Sequence, residues 1–391
     1  MSALPPVDRS SLVATRRDIH QHPELGFEET RTSTLIADRL RSLNYLVTPG
    51  VGRTGVVALK ARDGRGEGGP GRCVLLRADM DALPVEEANA VPYRSRHAGK
   101  MHACGHDGHV AIGLEVARRL APLDLAGAVK FAFQPAEEVS NGAQAMIGDG
   151  VLDGPTVHAA FGIHLWNDLP VGTIGIMAGA VMASVDQFEI EILGRGGHAA
   201  APHQTIDPVL IAAHVITGLQ SLVSRRRDPM DHVVVSVTEV HAGRAFNVIP
   251  ARADLRGTVR TFGGRFWDEA PHLVAETARG IAGAFGAQAV VHYHRLSSPL
   301  VNDEQLSALM SDVAATVVGA GNVRSGVRTM GGEDMSFFLE RVPGCFAFVG
   351  SAPRNGAASP HHSPTFDIDE ESLVVATELL SRTVVRFLNA P

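Results

Sequence analysis

Four histidines and one cysteine crowd into HAGKMHACGHDGHV: His97, His102, Cys104, His106 and His109. Four histidines in thirteen residues is far above the 18 spread over the whole 391-residue chain. Thiolate and imidazole are good ligands for zinc and neighbouring divalent transition metals. Cys104 and His106 stand two apart, so an extended or looping backbone aims both the same way, and this pair is read as metal-binding. His97 and His109 are read instead as capping or packing residues. A second signal is FQPAEE, where Glu137 and Glu138 follow directly on an apolar run. Charges just past a buried strand are paired or used, and the carboxyl ends of strands in open α/β sheets are where sites form. Adjacent carboxylates suit a division of labour, one holding a metal and one moving a proton; an exposed acidic turn is the other reading. His164 in GIHLW and the pair His361–His362 in HHSPTFD are weak signals alone, since a lone histidine in an apolar run is more often a satisfied core residue.

The elements that must position these residues are readable as pattern. Residues 8–43 read as two helices, with Leu35, Ile36, Leu40 and Leu43 on one face of the second. VVALKA and CVLLRAD read as strands joined by a glycine-rich connector, RDGRGEGGPGR. A helix is expected from about Gly108 to Leu120, then a buried strand, AVKFAFQ, stopping at Pro135. This alternation predicts a mixed or mostly parallel sheet with helices on its faces. From about Val185 the texture changes to a βαββαβ series, the pattern of a compact ferredoxin-like α+β domain. After about Pro299 the α/β texture returns. The expected organisation is an α/β domain of residues 1–183 and 297–391, interrupted by an inserted domain of residues 184–296.

Bulk properties narrow the class. A length of 391 residues fits two domains. With 35 Lys+Arg against 42 Asp+Glu, a net charge of −7 and 5% aromatics, nucleic acid is not an expected partner. Arg225–Arg227 is the one basic cluster and reads as a solvated helix end. Cys73, Cys104 and Cys345 have no CxxC spacing, which favours a reducing, cytoplasmic compartment over a disulfide framework. MSALPPVDRS has no apolar stretch of a signal peptide. The uncharged run from Leu169 is glycine-rich and reads as strands and turns, so no membrane association is expected.

HQHPELGFEE, RADMDALP, MHACGHDGH, QPAEE, GIHLW, GRGGHAAAPH, FNVIP, GGEDMSFF and HHSPTFD occur in this order between residues 20 and 367. The set resembles the aminoacylase, hippurate hydrolase and plant auxin-conjugate hydrolase family of metallopeptidase-fold amidohydrolases. The likeness spans nearly the whole chain, and MHACGHDGH with QPAEE is its most specific part. It implies a mixed-sheet, zinc-peptidase-like catalytic domain with the inserted domain as lid and dimerisation surface, in a homodimer or dimer of dimers. It implies Cys104, His106, Glu138, His164 and His362 as metal ligands, with His361 as the fallback for the last, and Glu137 as general base. His198 of GGHAAAPH would steady the oxyanion and Asn247 of FNVIP would meet the substrate carboxylate. RADM lacks the histidine that more distant relatives use as a ligand, so their metal preference does not carry over.

Five ligands exceed the needs of one tetrahedral zinc with an open position, so two divalent ions are the expected cofactor: zinc, manganese, cobalt or nickel. The expected reaction is hydrolysis of an N-acyl-L-amino acid to a carboxylate and a free amino acid; a dipeptidase or carboxypeptidase of the same fold is the alternative. GVGRTG at Gly50–Gly55 matches the dinucleotide-binding glycine pattern, but a strand follows where that motif needs a helix. A thiol hydrolase using Cys104 leaves Glu137 and Glu138 unexplained. A non-catalytic binder would have no use for the base.

Overall fold

A computed structural model describes residues 3–61, 71–139, 141–354 and 358–390. Most of the glycine-rich connector lies outside the described residues. The chain divides into two compact units: Met1–Gly179 with Val301–Val327 and Asp334–Pro391, and Ala180–Leu300 with Arg328–Glu333.

The first unit is built on an eight-stranded sheet. Its spatial order is Leu46–Val51, Gly55–Lys60, Ala128–Gln134, Cys73–Asp79, Ala159–Pro170, Gly344–Ala352, Ile174–Gly175 and Val323–Arg324. The middle four strands are mutually parallel, and the Leu46–Val51 and Gly55–Lys60 pair is antiparallel, so the sheet is mixed. Cys73–Asp79 and Ala128–Gln134 are buried at every position, as parallel strands covered on both faces must be. GVGRTG is the turn of the antiparallel pair, with Gly52 and Arg53 at positive φ. Helices Arg9–His20, Thr30–Ser42, His106–Leu120, Glu304–Val318 and Glu371–Asn389 contribute to one continuous core with the sheet.

One boundary differs from expectation in a way that matters. The helix expected from about Gly108 begins at His106. Gly105 precedes it with φ of 93°, a left-handed conformation that glycine adopts without a Cβ penalty. That lets the chain enter the helix at once and fixes His106 on its first turn.

The second unit is a four-stranded antiparallel sheet in the order Val233–Ala242, Arg252–Thr261, Val185–Leu193, Gln288–Ser297. Val185–Leu193 alternates buried and half-buried positions. Its buried residues, Phe188, Ile190 and Ile192, pack with Ile211, Val215 and Leu219 of helix Pro208–Ser221 and Leu273 and Val274 of helix Arg265–Ala284. The connectivity is βαββαβ. Arg225 and Arg226 are exposed in a π-helical turn, Leu222–Arg226. Among the described residues no helix is long and apolar enough to cross a membrane.

Candidate metal centre

Five arms of the first unit meet at the carboxyl ends of its parallel strands. Cys73–Asp79 runs on into Asp81, and Asp79 and Asp81 are both buried. The second arm carries Cys104 and, at the helix start, His106. The third leaves Ala128–Gln134 through Pro135 and turns at Ala136, which has φ of 52° and donates its N–H to Glu29 Oε1 at 2.9 Å. Gly142 passes so close beneath this turn that a Cβ would stand 1.6 Å from the Pro135 oxygen, so only glycine fits. The turn splits the acidic pair: Glu138 N–H donates to Asp81 Oδ2 at 3.0 Å, while Glu137 Oε1 accepts from Asp334 N–H at 3.4 Å. His164 projects from the fourth arm, Ala159–Pro170, and the loop 361–367 supplies the fifth.

Donor atoms converge here. One from each of Cys104, His106 and His164 lies within 4.8 Å of the others, as do those of Cys104, Glu138 and His362 and those of His106, Glu137 and Glu138. Cys104 Sγ is 3.5 Å from His164 Nε2, and Glu138 Oε1 is 3.4 Å from His362 Nε2 and 3.9 Å from His106 Nε2. His106 Nδ1 donates to Asp81 O and Oδ1 at 3.0 and 3.2 Å, and His164 Nδ1 donates to Leu165 O at 2.7 Å. In the neutral rings these bonds place the proton on Nδ1 and turn the Nε2 lone pair toward the cluster, the usual preparation of a ligating imidazole. His106 Nε2 and Glu138 Oε1 are buried without a hydrogen-bond partner. Orphaned buried acceptors are costly unless something absent from the protein itself, such as a cation, meets them.

Two neighbouring histidines are engaged otherwise. His109 holds Asp79 Oδ1 through Nδ1 at 2.5 Å and accepts the Leu165 N–H at Nε2, 3.0 Å, so neither nitrogen is free. His361 Nε2 donates to Leu165 O at 3.0 Å, and its ring stacks on Trp166 at 4.6 Å. The Leu165 peptide is thus gripped at its N–H by His109 and at its oxygen by His164 and His361. His362 has φ of 65° and donates its N–H to Ala103 O at 2.8 Å. A non-glycine residue held there marks a position the surroundings over-determine.

The electrostatics favour a cation. Burial pushes the Cys104 thiol well above its usual range, and the Glu138 charge adds to this. Burial lowers His164 well below the usual imidazole value, with His109 and His361 adding to the effect. His106 is held well above it, burial being outweighed by Asp79 and Cys104. Asp79 resists burial and stays well below the carboxylate range because Arg77 Nη1 lies 2.7 Å from its Oδ2, with His106 and His109 beside it. A divalent ion would favour the thiolate and neutral imidazoles that this set needs in order to ligate. A sulfur, oriented imidazoles and carboxylates fit zinc or another first-row ion.

The remaining two candidates lie in the second unit, adjacent to each other. His198 sits in a two-residue strand paired with Val248–Ile249, and Ala199 N–H donates to Asn247 O at 3.1 Å. Both side chains are exposed. His198 Nδ1 accepts the Ala200 N–H at 3.0 Å, which leaves the proton on Nε2 as an outward donor. His97 is exposed, edge-on to His22 at 5.9 Å, away from the converging donors.

Sequence reasoning assigned no role to Asp79, Asp81 or Asp334, and read His109 as capping or packing. Asp334 accepts from Arg77 Nη2 at 3.0 Å, Gln134 Nε2 at 2.6 Å and Ala143 N–H at 3.0 Å, tying the third arm to the sheet. One signal was available: Arg77 and Asp79 interrupt an otherwise apolar, fully buried strand, and such charges need partners.

Known proteins resemble the chain along its length. Residues 75–386 match the description peptidase family M20/M25/M40. Over 379 residues the chain is 42% identical to N-acetylcysteine deacetylase of Bacillus subtilis (strain 168), covering 96% of each protein. Over 300 residues it is 41% identical to N-acyl-L-amino acid amidohydrolase of Geobacillus stearothermophilus, covering 76% of this chain and 79% of the relative. A crystal structure of a Bacillus subtilis protein described as a dinuclear metal-binding peptidase of the M20 family matches with a TM-score of 0.84 at 37% identity, covering 98% of this chain and 99% of that one.

Proposed function

Because the chain belongs to peptidase family M20/M25/M40 and is a metal-dependent hydrolase of amide bonds, we propose that it cleaves N-acyl-L-amino acids to a carboxylate and a free amino acid. The convergence of Cys104, His106, Glu138, His164 and His362, with His106 Nε2 and Glu138 Oε1 buried and without a hydrogen-bond partner, carries the reading. These five would hold two divalent ions, zinc, manganese, cobalt or nickel. His362 is preferred over His361 because the Nε2 of His361 is spent on Leu165 O. When bound, such ions polarise the amide carbonyl and ease deprotonation of water.

The chain's own groups do the rest. Glu137, anchored by the Asp334 N–H, takes a proton from the attacking water and hands it to the departing nitrogen. His198 offers its Nε2–H to the developing oxyanion, and Asn247 meets the substrate carboxylate. In this reading residues 1–183 and 297–391 form the catalytic domain and 184–296 the lid and dimerisation domain of a cytoplasmic homodimer or dimer of dimers.

The test is amine release from N-acetyl, N-benzoyl and N-indoleacetyl amino acids after reconstitution with Mn²⁺ or Zn²⁺, against a chelated control. Metal-dependent release supports the reading and ranks the acyl groups. Release from dipeptides alone would replace it with a dipeptidase.

A further inference from the structure

Two of the arms that carry the candidate ligands lie far apart in sequence, one at Cys104–His106 and one at His362. They touch directly through the His362 N–H and Ala103 O. A single backbone hydrogen bond is a pivot, and it leaves the angle between the arms open. A second tie lies deeper, outside the ligand cluster. Arg16, on helix Arg9–His20, is fully buried, and its guanidinium spans both arms. Nε donates to Asp107 Oδ2 at 2.8 Å, and Asp107 directly follows His106. Nη2 donates to Asp367 Oδ1 at 2.9 Å, five residues past His362, and Nη1 to Glu370 Oε1 at 3.4 Å.

Each carboxylate has a further partner, on the same oxygen for Asp107 and on the second oxygen for Asp367. His20 Nδ1 meets Asp107 Oδ2 at 2.8 Å, and Tyr93 OH donates to Asp367 Oδ2 at 2.8 Å while its ring lies 4.8 Å from the Arg16 guanidinium carbon. Asn89 Nδ2 donates to Phe366 O at 2.9 Å in the same loop. A planar guanidinium with donors at fixed angles sets the distance and angle between two carboxylates, which an ammonium cannot do.

We infer that Arg16 is a positioning residue for the metal centre: by clamping Asp107 and Asp367 together it fixes where His362 stands relative to Cys104, His106 and Glu138. This rests on the dinuclear reading above. Outer groups that orient ligands typically change metal affinity about 10–100-fold when removed. The position with His362 as a ligand should therefore weaken by that factor, while the position held by Cys104, His106 and His164 is spared.

The test titrates metal-free protein with Zn²⁺ against a chromophoric chelator and follows apo-protein melting in parallel, for wild type, Arg16→Lys, Asp367→Ala and Arg17→Ala. Arg17 makes a two-bond salt bridge to Glu370, at 2.8 and 2.7 Å, without reaching Asp107 or Asp367, so its loss controls for general destabilisation. Wild type and Arg17→Ala should bind two ions alike. Arg16→Lys and Asp367→Ala should keep one site at wild-type affinity and weaken the other at least tenfold. Asp367→Ala keeps the Arg16–Asp107 pair and stands in if a buried lysine prevents folding. Lower melting temperatures with two unchanged sites would overturn the inference and leave Arg16 a purely structural residue. A wild type that does not bind two ions would overturn the dinuclear centre itself, a result separable by the control.

Discussion

Asp81→Asn is the sharpest probe of how the centre is prepared. Asp81 is 1% exposed and acts only as an acceptor. Oδ1 receives the His106 Nδ1 proton at 3.2 Å, and Oδ2 receives the Glu138 N–H at 3.0 Å. Asparagine replaces one oxygen with an NH₂ of nearly the same size, so the packing is kept. In either flip, however, one donor now faces another: the amide confronts the His106 ring or the Glu138 backbone. Losing one hydrogen bond to a charged group costs about 1.5–3 kcal/mol. At about 1.4 kcal/mol per factor of ten, that is about 10–100-fold in metal affinity. The backbone oxygen of Asp81 still accepts from His106 at 3.0 Å, which keeps the effect below that of losing a ligand outright. The assay is a competitive chelator titration of the apo-protein, with turnover measured at saturating metal. Affinity should fall by one to two decades, and turnover should recover as metal is raised. Binding within twofold of wild type would refute the claim that Asp81 sets the imidazole tautomer and the Glu138 backbone.

Other outcomes follow from particular contacts. Glu137→Gln keeps an acceptor for the Asp334 N–H, so both ions should stay bound by metal analysis while turnover drops about 10²–10⁴-fold; wild-type rates would remove it as the base. Phe188→Ala should cost about 3–5 kcal/mol in chemical denaturation of the second unit, because Phe188 is fully buried in that unit's own core; a loss under 1 kcal/mol would contradict its central place. Burial raises the Asp186 carboxyl above its ordinary value, with hydrogen bonds from Tyr293 and Trp267 opposing. A raised folded-state value means that its stability contribution is present below the unfolded carboxylate pKa and lost as pH rises through the folded one. Relative to Asp186→Asn, wild type should therefore lose stability as pH rises from about 4 through the weakly acidic range, and equal slopes would refute this.

Much was legible because it is written locally. The apolar runs CVLLRAD and AVKFAFQ became buried parallel strands, since a strand covered on both faces needs no polar alternation. The βαββαβ texture after Val185 became a separate antiparallel sheet with its own core. The ligand chemistry was legible as well, because sulfur, imidazole and carboxylate are scarce at such density without a use. The helix start was not: it turned on the left-handed Gly105, and a glycine's φ is invisible in one-letter code.

What the sequence determined by itself, then, is the inventory: which side chains can ligate, which runs must be buried, and that an α/β body is interrupted by an α+β one. What tertiary structure decided is the assignment of each nitrogen and oxygen. His106 is oriented by Asp81 from 25 residues away, the Leu165 peptide by His109 from 56, and Arg16 meets Asp107 and Asp367 across 91 and 351 residues. Hydrogen-bond direction depends on through-space geometry of about 3 Å. Spacing along a chain encodes that only within a turn or a strand, so His361 and His362, neighbours in sequence, parted in structure: one is spent on a backbone oxygen and the other faces Glu138.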